Sequence, residues 1–258
     1  LALPPFAEKS DLNWTIFSIL HGSEQFNKRK KLYIMTQLEI AALTLEDASA
    51  ARAGGAHSIE VSRDLSVGGL TPDFDLVRAI TATLRAPDFA VNVMIRPHAR
   101  DFIYTESEIV AILAAARGMI AFGVDGIVFG AQTAAGALDT ALIARVASEI
   151  APTPLTLHRA LDTCTDPEGA LAALNGVVPR VLSAGNAPTA WEGRADLGRW
   201  VARFGGHMRF VASGAIRLEQ ARALIDQTGA HELHIGGASQ TAGHVDAAKV
   251  RALLAAIS

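Results

Sequence analysis

At 258 residues, half of them hydrophobic, 19% charged and 6% aromatic, the chain describes a globular protein rather than a disordered polymer, with room for one large domain or two small ones. A formal net charge of −3 provides no basic footprint for a phosphate backbone, so nucleic acid is not an expected partner. The single cysteine, Cys164, excludes an intrachain disulfide framework and a cysteine-paired zinc ribbon, and the apolar runs are too short and too broken to span a bilayer.

A cytoplasmic, membrane-free protein is the expectation, since no secretory h-region precedes a small-residue cleavage site near the start. Residues 1–35 hold Lys9, Lys28, Lys30 and Lys31 and few alanines, whereas the rest is rich in Ala, Arg and Gly and has only Lys249. This break marks 1–35 as an N-terminal extension outside the core, with Met35 the expected natural start, and 36–258 as the folded domain.

From residue 37 onward, short β-rich runs alternate with longer helical patterns, as in repeated βαβ units. The pattern predicts strands at 37–42, 58–62, 90–96, 126–130, 154–158, 180–183, 209–213 and 232–236. Helices between them carry apolar residues three and four apart, such as Ile109, Ile112, Leu113 and Ala116, or Leu218, Ala221, Leu224 and Ile225. Thr71-Pro72-Asp73 and Asp166-Pro167-Glu168 read as helix starts, each with a capping oxygen, an early proline and an acid. Gly54-Gly55 and Gly229 read as left-handed helix ends. Eight such units without a dinucleotide fingerprint favour an α/β fold of one kind, a single closed (β/α)8 TIM barrel, over an open doubly wound sheet.

Helices wrap the outside of such a barrel, so the outward strand positions must be apolar and polar residues should share the inward phase. Glu39 lies between Leu38 and Ile40, and Glu60 between Ile59 and Val61. Asn92, Met94 and Arg96 share one phase, Thr156 and His158 another, and His234 sits between Leu233 and Ile235. Two carboxylates, a guanidinium and two imidazoles are therefore expected in the lumen. Buried charges must pair, hydrate or bind something, and the two outcomes are a closed network around Glu39 and Glu60 or a small-molecule site at the strand ends. Ser213-Gly214 ends the seventh predicted strand and Gly236-Gly237 the eighth. Freed backbone N–H groups there suit an anion, which makes a phosphorylated ligand an expectation for Ser213, Gly214, Gly236 and Gly237 together with Arg96.

Leu38-Glu39-Ile40, Ile59-Glu60-Val61, Gly68-Gly69-Leu70-Thr71-Pro72, Met94-Ile95-Arg96-Pro97, Leu157-His158-Arg159-Ala160-Leu161-Asp162, Val181-Leu182-Ser183-Ala184-Gly185 and Leu233-His234 follow one another in an order that closely resembles the CutC family, named for copper homeostasis. The resemblance runs from about residue 37 to at least 240. It implies a β/α barrel, a homo-oligomer (dimer or tetramer), and a cytoplasmic protein that binds or handles copper. Cys164 matches a family cysteine and is the candidate metal residue. Three other positions where the family often has cysteine read Ala41-Ala42, Ser62 and Ile103 here, and His98 replaces the usual arginine after the Arg-Pro pair.

Cu(I) prefers thiolate and thioether ligands, so one thiol gives little support to a Cu(I) cage within one subunit. A harder site from Glu39, Glu60, His158 and His234 would suit a divalent ion, against the opposing charge of Arg96. Copper homeostasis is thus one functional expectation. The alternative is a barrel lyase, isomerase or hydrolase acting on a small anionic metabolite, with Glu39 or Glu60 as general base, His158 and His234 as acid or electrophile, and Arg96 as anion clamp. Lys249 falls on the last helix, which disfavours imine chemistry. A ligand-free oligomeric scaffold is the third reading.

Overall fold

The computed structural model describes residues 36–258. The proposed start at Met35 and the extension ahead of it lie outside the described residues. Eight parallel strands close on one another in chain order: β1 (Gln37–Ala42), β2 (Ser58–Val61), β3 (Ala90–Met94), β4 (Gly126–Phe129), β5 (Leu155–Leu157), β6 (Arg180–Ser183), β7 (Arg209–Ser213) and β8 (Glu232–Ile235). Seven helices alternate with them: α1 (Leu45–Ala53), α2 (Phe74–Leu84), α3 (Glu106–Ala121), α4 (Thr140–Glu149), α5 (Pro167–Leu174), α6 (Arg194–Phe204) and α7 (Leu218–Thr228). A hairpin of β9 (Gln240–Thr241) and β10 (His244–Val245) leads into α8 (Ala247–Ile257).

The core is the shell between strands and helices. Ile40, Ile59, Val91, Ile127, Leu157 and Leu233 are fully buried on outward strand positions. They meet the apolar stripes of the helices, including the predicted Ile109, Ile112, Leu113 and Ala116. Each such side chain contributes about 1.5–3 kcal/mol relative to exposure. Leu218 departs from its predicted stripe and is exposed at the first position of α7.

Local chemistry fixes several boundaries. Thr105 and Glu108 form a reciprocal capping box at α3, and Asp166 caps α5 ahead of Pro167 as the sequence leads one to expect. Thr71 does something else: α2 starts at Phe74 behind Asp73, and the Thr71 hydroxyl accepts from the backbone N–H of Arg96 at 2.8 Å. A side chain three residues ahead of a helix serves the neighbouring strand end better than the helix. Gly229 is left-handed at the end of α7, but of the glycine pair only Gly55 has positive φ. Gly54 is required by a close approach, since a Cβ there would lie 2.5 Å from Val250 Cβ on α8.

Five strands, β2, β3, β4, β5 and β8, stop short of their predicted ends, and among the residues left outside, Arg96, His158 and Gly236 fall just past β3, β5 and β8, on the rim. Pro97 explains the case of Arg96, because the residue before proline is steered out of the sheet and proline has no N–H to donate to it. Register levels the inward residues: Glu39 stands opposite Ser58 on β2 and His234 on β8, and Glu60 opposite Asn92 on β3.

Candidate functional site

The barrel interior divides into a closed floor and an open mouth. On the floor Glu39 is fully buried and all its acceptor positions are used. One oxygen receives Asn92 Nδ2 at 2.6 Å and Ser58 Oγ at 3.2 Å; the other receives His234 Nδ1 at 3.0 Å and Arg180 Nη2 at 2.9 Å. Arg180 also binds Glu232 through Nε (3.0 Å) and Nη2 (2.7 Å), and Thr156 Oγ1 through Nη1 (3.2 Å). Arg209 Nε closes the set on the second Glu232 oxygen at 2.8 Å. Burial opposes ionisation of Glu39, but Arg180 and His234 outweigh it and hold the carboxyl well below the usual glutamate value. The same balance, with Arg180 and Arg209 as the cations, lowers Glu232.

The sequence reading omits Arg180, Arg209 and Glu232, although strand parity could have found them. Arg180 shares the phase of Leu182, which lines the mouth, and Glu232 that of His234. Glu39, offered as a general base, is instead the saturated centre of this ion network, and Arg96 takes no part in it.

Above the floor lies a cavity of about 520 Å³ at the carboxyl ends of the strands, lined by Glu60, Arg96, His158 and His234 among others. With Ser213 also on its wall, the cavity brings five of the predicted residues to one place. Three buried side-chain atoms in it have no hydrogen-bond partner among the described residues: Glu60 Oε2, Arg96 Nε and His158 Nε2. Left dry, such a group costs roughly 1–3 kcal/mol, and more when charged.

Arg96, 6% exposed, has no carboxylate partner among the described residues. Its Nη1 donates to the carbonyls of Val67 (2.6 Å) and Gly69 (3.3 Å), Nη2 reaches that of Ala99 at 3.5 Å, and the guanidinium lies 4.6 Å from the Phe102 ring centre. Backbone carbonyls and a ring face orient the cation without cancelling its charge. His158 is locked by the Ala160 backbone N–H, which donates to Nδ1 at 3.1 Å. Nδ1 is therefore the acceptor, and the neutral ring presents Nε2–H. Burial and the adjacent Arg96 push its pKa down to about 3. Burial raises Glu60, with nearby Glu39 adding to the effect and His234 opposing it. His234 is raised despite its burial, because Glu60 and Glu39 are close. The mouth can accordingly offer a fixed cation, a neutral N–H donor and a carboxylic acid able to take or give a proton.

Ser213, Gly214, Gly236 and Gly237 line a second cavity of about 370 Å³ along the ends of β7 and β8. It shares Leu65, Ser213 and His234 with the first, so the two adjoin. Cys164 is elsewhere. It is buried at the end of the short 3-10 turn Arg159–Thr163, outside the lining of either cavity, and burial raises its thiol against the pull of the Asp166 and Leu138 backbones.

Copper can be tested against these donors. Among the described residues one grouping of potential ligand atoms stands out, Glu39, Glu60 and His234, with the atoms within 4.8 Å of one another. Glu39 is already saturated, Arg180 shares its oxygen, and the only cysteine lies apart. This set does not fit a Cu(I) cage.

The CutC family model matches residues 36–254. The human copper homeostasis protein cutC homolog is 34% identical over 203 residues, covering 78% of this chain and 73% of the relative. A family protein CutC from Aliivibrio fischeri is 32% identical over 206 residues, covering 79% and 82%. Among solved structures, the putative copper homeostasis protein CutC from Streptococcus agalactiae superposes with a TM-score of 0.73 at 23% identity, covering 78% of this chain and 98% of that one. Phosphoribosyl anthranilate isomerase from Thermotoga maritima shares the fold at a TM-score of 0.59 and 15% identity, covering 86% and 98%.

Proposed function

Because the chain belongs to the CutC family, we propose that it serves copper homeostasis, and that it does so in the cytoplasm by binding a small anionic molecule in the barrel mouth. The single observation that carries this reading is Arg96: a buried guanidinium on the cavity wall that, among the described residues, has no carboxylate partner and an unbonded Nε, near a His158 Nε2–H that is likewise unbonded. An oxyanion meets both needs at once, and a charge-assisted bond to a preorganised arginine is roughly twice as strong as a neutral one. Above the floor network, Glu60 is the group suited to move a proton. His158, neutral and donating, is suited to polarise a carbonyl or stabilise an oxyanion. Lyase, isomerase and hydrolase chemistry all use that pair.

The reading is tested by thermal denaturation of wild type and Arg96→Met against a panel of small carboxylates and phosphate esters. A ligand present at 100 times its Kd should stabilise by about 2.7 kcal/mol, roughly 5–10 °C for a domain of this size, and the shift should vanish in Arg96→Met. Absence of any Arg96-dependent shift removes the reading.

A second reading, copper itself as cargo, is favoured by the closeness of Glu60 and His234 in the Glu39 grouping. Oxygen and nitrogen donors of that kind suit a divalent ion. Titration with Cu(II) and with Cu(I), comparing wild type with His234→Ala and Cys164→Ala, separates the cases: His234-dependent Cu(II) binding supports cargo, and no binding of either ion removes it.

A further inference from the structure

The motif that carries His158 also carries Arg159, to which neither the sequence reading nor the proposed function gives a task. Its guanidinium is held at three points. Nε donates to Asp162 Oδ2 at 2.7 Å, and Nη2 donates to the carbonyls of Ala187 and Pro188, both at 3.2 Å. Asp162 is fixed in turn, accepting from the Ser183 hydroxyl, from Ala184 N at 2.8 Å and from Asn186 N at 3.2 Å. With four donors on one buried carboxylate, Asp162 is a positioning residue with nothing left to offer a ligand. The arginine is thereby ordered before any ligand arrives, which lowers the entropic cost of using it.

The remaining nitrogen, Nη1, has no hydrogen-bond partner among the described residues and faces Gly214. A Cβ at Gly214 would lie 3.2 Å from Nη1 and 3.1 Å from Ala184 Cβ, and φ there is +116°, so a side chain would be strained by the backbone and crowded by both neighbours. The end of β7 thus leaves that nitrogen open. Arg159, 37% exposed, lines the first cavity together with Arg96, while Gly214 lines the second. The joined space therefore has two guanidinium groups on its walls. One of them, Arg96, forms no ion pair with a carboxylate among the described residues, and the other has its charge met by Asp162 but keeps one nitrogen without a described partner.

Building on the reading that the mouth binds an anion, we propose that its ligand carries two acidic groups, one bound by Arg96 and His158 Nε2, the other by Arg159 Nη1 over the backbone of Gly214. Each arginine keeps one nitrogen that no described residue takes, Nε in Arg96 and Nη1 in Arg159, and carboxylate and phosphate oxygens accept charge-assisted bonds from such donors. The glycines at the ends of β7 and β8 leave room for the larger of these, and phosphate is often held there in barrels. The shared chemistry is a second oxyanion, and the probes below distinguish its two forms.

Isothermal titration of the full chain tests the proposal with matched probes: butyrate against succinate, and glycerol 3-phosphate against 3-phosphoglycerate. In at least one pair the two-acid member should bind wild type about tenfold tighter or more. Arg159→Met should remove that advantage while leaving the one-acid affinity within about twofold. The pair that shows the advantage, and whether glycerol 3-phosphate outbinds butyrate, identifies which oxyanion the glycine side prefers. Equal binding within both pairs, or an Arg159→Met variant that weakens one-acid and two-acid probes alike, overturns the inference. Should Arg159→Met fail to fold, the wild-type comparison alone decides. One-acid binding that depends on Arg96 but shows no two-acid advantage sinks this inference and leaves the anion reading standing; binding of no probe at all sinks both.

Discussion

Replacing Arg180 with methionine offers the sharpest test of the floor network. The change keeps roughly the length of the side chain and removes the guanidinium that bridges Glu39 (2.9 Å), Glu232 (2.7 and 3.0 Å) and Thr156 (3.2 Å). Both carboxylates are nearly or fully buried, so neither can recover its hydration. Breaking a buried pair by removing one partner costs about 3–5 kcal/mol, a large part of the roughly 5–15 kcal/mol that holds a typical domain folded. For a domain of this length that is a fall in Tm of roughly 6–20 °C. The pH dependence has a definite sign. In wild type the folded-state pKa values of Glu39 and Glu232 lie below the usual 4.5, so their stabilisation is complete above that value and is lost as pH falls through the lowered folded values. Without Arg180 the buried carboxylates are strained at pH 7 and relieved by protonation. The gap between variant and wild type should therefore narrow as pH drops from 7 towards 4.5. Calorimetric scans at a series of pH values read both quantities. A variant that melts within about 2 °C of wild type at pH 7, or a gap that widens on acidification, refutes the reasoning.

Three further outcomes are expected. The His158 imidazole should remain in its neutral Nε2–H form throughout pH 5–8, as its pKa of about 3 requires, and nitrogen chemical shifts that titrate near 6.5 would contradict the bond from Ala160 N. Gly54→Ala should cost about 1–3 kcal/mol in urea denaturation, because the new Cβ meets Val250 and the Ala247 carbonyl at 2.5–2.9 Å; an unchanged midpoint argues against tight packing of α1 on α8. Cys164 should react with a thiol reagent only as fast as the native state opens, since it is 5% exposed and its thiol is raised by burial. Rapid stoichiometric labelling of the folded protein would overturn that.

The barrel and the polar phase of its strands were legible because they follow from periodicity, and a closed helix-wrapped sheet tolerates polar side chains on one face alone. Glu60, Arg96, His158 and His234 were found in this way. What periodicity could not say is who pairs with whom. Glu39 and Glu60 look alike in sequence, each a glutamate between two aliphatics on adjacent strands, yet one is saturated by Arg180 and His234 and the other keeps an unpaired oxygen. The difference comes from Arg180, some 140 residues further along the chain and brought in by barrel closure. Thr71 shows the same limit on a smaller scale: a hydroxyl that fits a helix cap by spacing is taken by the end of β3 instead.

Glu39, Glu232, Arg180 and Arg209 together carry two charges of each sign, and the set makes substitution at the floor a collective matter. Changed one at a time, each member leaves its neighbours stranded. An apolar plug replacing all four in a single step would strand no charge, and with Ser58, Asn92, Thr156 and His234 exchanged or repartnered it could match the original in stability. Redesign of the mouth for a new ligand should therefore treat these positions as one indivisible block, kept whole or exchanged whole.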